Sequence, residues 1–157
     1  MAIVGFNFTR MHAERRAAIR GRLNINNNIT IKDVQEADLA FGKSNESALR
    51  FMFEFTSTYE PKAGEIVMQG ELIDMVESKD VKEVMDSWKK KKQVPQQTMT
   101  RILTTILNRC NIQALVLSRD INLPPPIPMP RVNVQEATNS VASQVVGDAP
   151  AKGKKKK

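Results

Sequence analysis

The residues equipped to act on a substrate are few and scattered. Cys110 is the single cysteine and His12 the single histidine, which removes Cys/His nucleophile pairs, multi-Cys zinc sites and His-rich metal sites by count. Cys110 recurs at helical spacing with Met99, Ile102, Leu103, Ile106 and Leu107, and on such a stripe a free cysteine behaves as a small hydrophobe. Being alone, it forms no internal disulfide. No Gly-rich phosphate loop, paired-Cys motif, His-Glu metal helix or Gly-x-Ser-x-Gly elbow occurs, and the carboxylates are spread as a solvated face spreads them. The expectation is a binding protein with no catalytic site, no metal and no cofactor.

Two groups of residues carry binding chemistry instead. Phe51, Phe53 and Phe55 share one parity, so they line one face of a strand, either as sheet core or, with neighbouring Met, as an adaptable surface for unfolded apolar segments. Lys89, Lys90, Lys91 and Lys92 follow Trp88, where cations suit the C-terminal end of a helix dipole. Together with Lys154, Lys155, Lys156 and Lys157 they would alternatively make a phosphate-binding footprint for RNA or the ribosome. Neither cluster has the interleaved aromatics of a base-stacking platform. The net charge is +7; residues 132–157 hold five Lys against Glu136 and Asp148, and the remaining body is mildly basic.

The elements that must position these groups follow from periodicity. Residues 3–16 read as a first strand, with helix as an alternative from about Met11 to Arg20. Leu23, Ile25, Ile29 and Ile31 alternate with polar residues as a half-buried strand, with Asn26-Asn27-Asn28 as a possible turn. Leu49, Phe51, Phe53, Phe55 and Tyr59 alternate with Arg50, Met52, Glu54, Thr56 and Thr58 as the clearest strand. Glu60 to Gly64 supplies Pro and Gly for a hairpin returning through Glu65 to Val76. Gly70 within the return marks a bulge or a close approach by another group.

From Ser78, which can cap a helix, Val81, Val84, Met85 and Trp88 take up helical spacing. Pro95 opens a second helix whose Met99, Ile102, Leu103, Ile106, Leu107 and Cys110 form the strongest helical stripe in the chain, continuing past Asn111 to about Arg119. Five prolines between Pro124 and Pro130 impose extended geometry, with Ile127 and Met129 suggesting that the segment docks on the body. The reading is an α+β fold: one domain over residues 1–132 with an antiparallel sheet of about four strands and amphipathic helices, then a disordered basic tail over 133–157. No apolar run approaches the roughly 20 residues of a membrane span, and the N-terminus has no secretory pattern, so the cytoplasm is the expected compartment.

This order of elements resembles the SecB family of export chaperones. The resemblance rests on Val116-Leu117-Ser118-Arg119, on the run Leu123-Pro124-Pro125-Pro126-Ile127-Pro128-Met129-Pro130-Arg131-Val132-Asn133, and on the Phe-rich hairpin from Leu49 to Val76. It implies a homo-oligomer, a tetramer formed as a dimer of dimers, that holds unfolded or nascent polypeptides in apolar grooves without nucleotide. In that reading Phe51, Phe53 and Phe55 are the expected apolar contacts, packed beneath a helix face of Ile102, Leu103, Ile106 and Leu107 if they are core.

Overall fold

The computed structural model describes residues 2–38 and 46–130. Its compact unit spans Met1–Ile127 and consists of four strands followed by two helices. The strands are β1 (Ala2–Arg15), β2 (Asn24–Ala37), β3 (Glu46–Glu60) and β4 (Gly64–Glu77), and the helices are α1 (Ser78–Lys91) and α2 (Gln96–Asp120). The sheet is antiparallel throughout in the order β1-β4-β3-β2. The expected α+β architecture is therefore present. No helix among the described residues is long and apolar enough to cross a membrane.

Alternation along β3 and β4 sorts the sheet into two unlike faces. Phe51, Phe53, Phe55, Tyr59, Ile66, Met68 and Leu72 point inward and are essentially fully buried, each such side chain contributing roughly 1.5–3 kcal/mol. The outward residues form ion pairs across the strands, with Arg50 beside Glu71 and Lys32 beside Glu54. Gly70 sits where the inner face is most crowded. A Cβ there would collide with the Asn7 carbonyl oxygen and lie 2.7 Å from Phe53 Cζ, so the glycine marks a close approach of backbone and ring. Opposite it, the β1 register skips Thr9 between Phe8 and Arg10, which brings Phe6 and Phe8 against Phe53 at ring separations of 5.2 and 6.3 Å.

Three local readings that the sequence leaves open are decided by the tertiary structure. β1 remains a strand to Arg15, because Met11 to Arg15 pair with Met68 to Gly64 of β4 and the ladder outweighs local helix preference. β2 runs unbroken through Asn26-Asn27-Asn28. Asn27 faces inward there, accepting from the Ser57 hydroxyl at 2.7 Å and donating to the Pro126 carbonyl at 2.8 Å, so tertiary bonds replace the turn its side chain would otherwise favour. Ser78 is the first helical residue rather than the cap; Glu77 holds the N-cap position with no side-chain capping bond.

α2 continues through Asn111 to Asp120. It stops where Asn122 enters the left-handed region (φ 56°), with Leu123 N–H donating to the Ser118 carbonyl at 2.8 Å and Asn122 N–H to that of Arg119 at 3.2 Å. This pair of bonds is a Schellman stop, and it directs the chain into the prolines. Leu123 and Pro126 are buried while Met129 is exposed. The segment is tied to the sheet through its carbonyls: Pro124 accepts from the Tyr59 hydroxyl at 2.7 Å and Pro126 from Asn27. Prolines suit this role because they lack an N–H that would otherwise need a partner.

Candidate functional site

α2 crosses a sheet that is wider than the helix. Four strands at roughly 4.8 Å spacing span about 14 Å between outer axes, whereas a helix with its side chains is about 10–12 Å across. The buried row of α2 is Ile102, Ile106, Cys110, Ala114 and Ser118, shrinking along the helix, and small side chains let a helix come close to its support. The helix lies against β4, and Arg109 reaches over the Phe6 ring of β1 at 5.8 Å. The β2 side of the inner face is left less covered.

A cleft of about 430 Å³ opens there, lined by Asn27, Asn28, Ile29, Phe55, Thr100, Leu103, Thr104 and Leu107, a volume within the roughly 300–1,000 Å³ of ordinary ligand clefts. Along β2 it lies between two covered stretches. On one side α1 packs on the strand, with Trp88 Nε1–H donating to Asp33 at 3.2 Å; on the other, the Pro-rich segment is held by Asn27. A second cleft of about 310 Å³, lined by Lys92, Gln93, Val94, Gln96, Met99, Thr100 and Leu103, shares Thr100 and Leu103 with the first. The two form one trough along the flank of α2.

The structure separates the residues singled out in the sequence. Phe51 and Phe53 lie inside the core, and of the three phenylalanines only Phe55 also lines the trough. The helix face is rotated from the expected one: Ile102 and Ile106 are buried, Leu103 is half-buried, and Leu107 is 40% exposed. Reading offsets of 3 and 4 together merged two rows of the helix, one sealed and one open. Asn27, Asn28 and Ile29 went unnoticed as lining residues; their only sequence signal was the shared parity of Asn27 with Ile25 and Ile29.

Lys89, Lys90 and Lys91 fill the last turn of α1, and Lys92 is its C-cap in the left-handed region. All four are exposed. The Lys92 ammonium stands 5.1 Å from the Trp88 ring centre and lines the end of the trough. Asp33 feels that charge, although its carboxyl is held below the usual value first by the Gln35 hydrogen bond and then by those of Trp88 and the Val34 N–H. Lys154, Lys155, Lys156 and Lys157, with the rest of the expected 133–157 tail, lie outside the described residues.

The remaining titratable groups have structural surroundings. Burial pushes the Cys110 thiol up to about 12, which keeps it protonated and unreactive at neutral pH. His12, Glu14 and Glu65 bring potential ligand atoms within 4.8 Å of one another at the exposed end of β1, but the Arg16 guanidinium lies 3.1 Å from Glu14 and 2.7 Å from Glu65, in the place of a cation. Asp74 is fully buried on the inner face of β4 and paired with Arg101 of α2. Its Oδ1 has no hydrogen-bond partner among the described residues, and burial raises its pKa against the opposing pull of Arg101.

No family model matches the chain, and no curated protein matches it in sequence. Among solved structures it is similar to a SecB-like chaperone of Mycobacterium tuberculosis, determined in complex with a ChAD peptide from an antitoxin, with a TM-score of 0.52. The fold is SecB-like. Identity to that chain is 12%, over 84% of this chain and 90% of the other, so the likeness is one of fold while few side chains are shared.

Proposed function

We propose that the protein is an ATP-independent, chaperone-like binder of non-native polypeptides, with no catalytic step, and that the trough beside α2 is where it holds them. The observation that carries this reading is an open apolar cleft, walled by Leu103 and Leu107 and floored by Ile29 and Phe55, in a SecB-like fold. The neighbour's bound peptide is consistent with it. Phe55 is as fully buried as Phe51 and Phe53, so the three phenylalanines support the cleft from below and we assign client contact to Ile29, Leu103 and Leu107.

The energetics suit holding without nucleotide. Burying two leucine-sized client side chains yields roughly 3–6 kcal/mol, and ordering the segment offsets part of it. A single cleft therefore binds weakly and releases readily, since about 4 kcal/mol corresponds to millimolar affinity. Retention of a long client then requires several clefts acting together, which fits self-association as a dimer or tetramer. The outer edges of β1 and β2, each 14 residues long, offer unpaired backbone for such pairing.

The test is light scattering from a chemically unfolded client diluted into the protein. The wild type should suppress aggregation, and the double variant Leu103→Asp, Leu107→Asp should need at least about tenfold more protein for the same effect, because carboxylates in the cleft oppose apolar burial. Circular dichroism of the variant should remain that of the wild type, since neither leucine is sealed in the core. No suppression by the wild type, or full suppression by the folded double variant, would overturn the proposal.

A further inference from the structure

We infer that the trough selects acidic client segments: an extended apolar stretch lies along Ile29, Leu103 and Leu107, and an Asp or Glu flanking it is received by the lysines at the end of α1. The inference rests on the polypeptide-binding reading and adds to it the chemistry of the segment that is bound.

The argument is one of charge complementarity. Between Ser87 and Arg119 the chain has Lys89, Lys90, Lys91, Lys92, Arg101, Arg109 and Arg119 and not one Asp or Glu. α2 forms one wall of the trough, and the C-terminal end of α1 closes one end of it. Apart from Lys92, every polar residue lining the two clefts among the described residues is an amide or a hydroxyl: Asn27, Asn28, Gln93, Gln96, Thr100 and Thr104. These can bond the backbone of an extended peptide without regard to its sequence. Among the described residues, the only charged one in the lining is Lys92.

A basic client would bring like charge to Lys92 in a trough whose lining offers no carboxylate to answer it. Asp33 does not supply that answer: it accepts from Val34 N–H at 2.9 Å, Gln35 Nε2 at 2.9 Å and Trp88 Nε1 at 3.2 Å. An acidic flank instead meets the Lys92 ammonium at the lining, with Lys89, Lys90 and Lys91 in the preceding helical turn. The acidic residues of α1, Asp80, Glu83 and Asp86, all precede Trp88 in the helix, which leaves the lysines together at the end next to the trough.

The experiment compares three labelled peptides sharing one apolar centre and flanked by Asp/Glu, by Ser/Asn or by Lys/Arg, with binding to the full chain read by fluorescence anisotropy. At low salt the acidic peptide should bind about tenfold more tightly than the basic one, and the gap should largely close near 0.5 M salt, where screening is short-ranged. A variant with Lys89, Lys90, Lys91 and Lys92 all changed to Gln should lose the acidic preference, read as the ratio of its affinities for the acidic and the neutral peptide. The C-terminal tail is intact in both proteins, so the difference reports these four lysines.

Equal binding of the three peptides overturns the charge selection while leaving polypeptide binding in place; failure of all three to bind overturns both. A single-stranded RNA that binds the wild type more tightly than the acidic peptide, and loses that affinity in the Gln variant, overturns the inference by assigning the lysines to nucleic acid. An acidic preference that persists in the Gln variant also overturns it.

Discussion

α2 carries two apolar rows that meet opposite fates. The inner row from Ile102 to Ser118 is sealed against the sheet. The flanking row of Met99, Leu103 and Leu107 borders open space, although leucine is as hydrophobic as anything in the inner row. The difference is one of coverage: the sheet is wider than one helix, the inner row points at its middle, and the flanking row points at the margin, where neither α1 nor the Pro-rich segment reaches. Hydrophobicity thus marks both core and cleft, and position relative to the sheet decides which is which.

The sharpest way to break this comparison is to truncate one residue from each row. Ile106→Ala removes a fully buried side chain and should cost about 2–5 kcal/mol through lost burial and the cavity left behind. Leu107→Ala, one position along, should cost less than about 1 kcal/mol, because the side chain already meets solvent. Urea unfolding with unchanged slopes for both variants measures the contrast. Similar losses for the two would mean that the flanking row is core.

A smaller effect sharpens the account of what bounds the cleft. Tyr59→Phe deletes the hydroxyl that holds the Pro124 carbonyl and should cost about 1 kcal/mol in the same measurement. Because Tyr59 is the only tyrosine, the native protein also reports it by ultraviolet titration. Burial pushes its hydroxyl up to about 12, so phenolate absorbance should not rise with a midpoint near 10. A midpoint near 10 in the folded protein would mean that the Pro-rich segment does not seal this site.

The smallest expected effect is a slope. Burial raises Asp74 above its ordinary value of 3.8, so the native state holds this proton more tightly than the unfolded chain does. Its contribution favours folding at pH below that ordinary value and is lost as pH rises through the raised native value. In Asp74→Asn that dependence is absent, so the stability of the variant relative to wild type should increase with pH across this window and then level off. Urea midpoints taken at a series of pH values give the sign. A relative stability that falls with rising pH would show that Arg101, not burial, governs the group.

How much of this was legible in the sequence differs by element. The β3–β4 hairpin was readable because alternation of Phe and polar residues is a local property of a half-buried strand, and its return was signalled by Pro61 and Gly64. The close approach at Gly70 was readable because a glycine inside a strand seldom serves otherwise. The path of β2 through three asparagines was not, since Asn27 is satisfied by Ser57 and by a carbonyl 99 residues away. The cleft was only half legible. The apolar character of Leu103 and Leu107 is plain in the stripe, but their place outside the core depends on how α2 lies over the sheet.

The chain alone therefore determined the β3–β4 hairpin, the inward face of β3, the helical stripe of α2 with its stop before the prolines, and the scarcity of catalytic side chains. Each follows from periodicity, backbone geometry or counting, which act over a few residues or over none. Only the tertiary structure decided which apolar residues are sealed and which wall a trough, and that Lys92 stands at its end. Those facts arise from the width of the sheet against that of a helix and from contacts between residues far apart in the chain, and no local pattern encodes them.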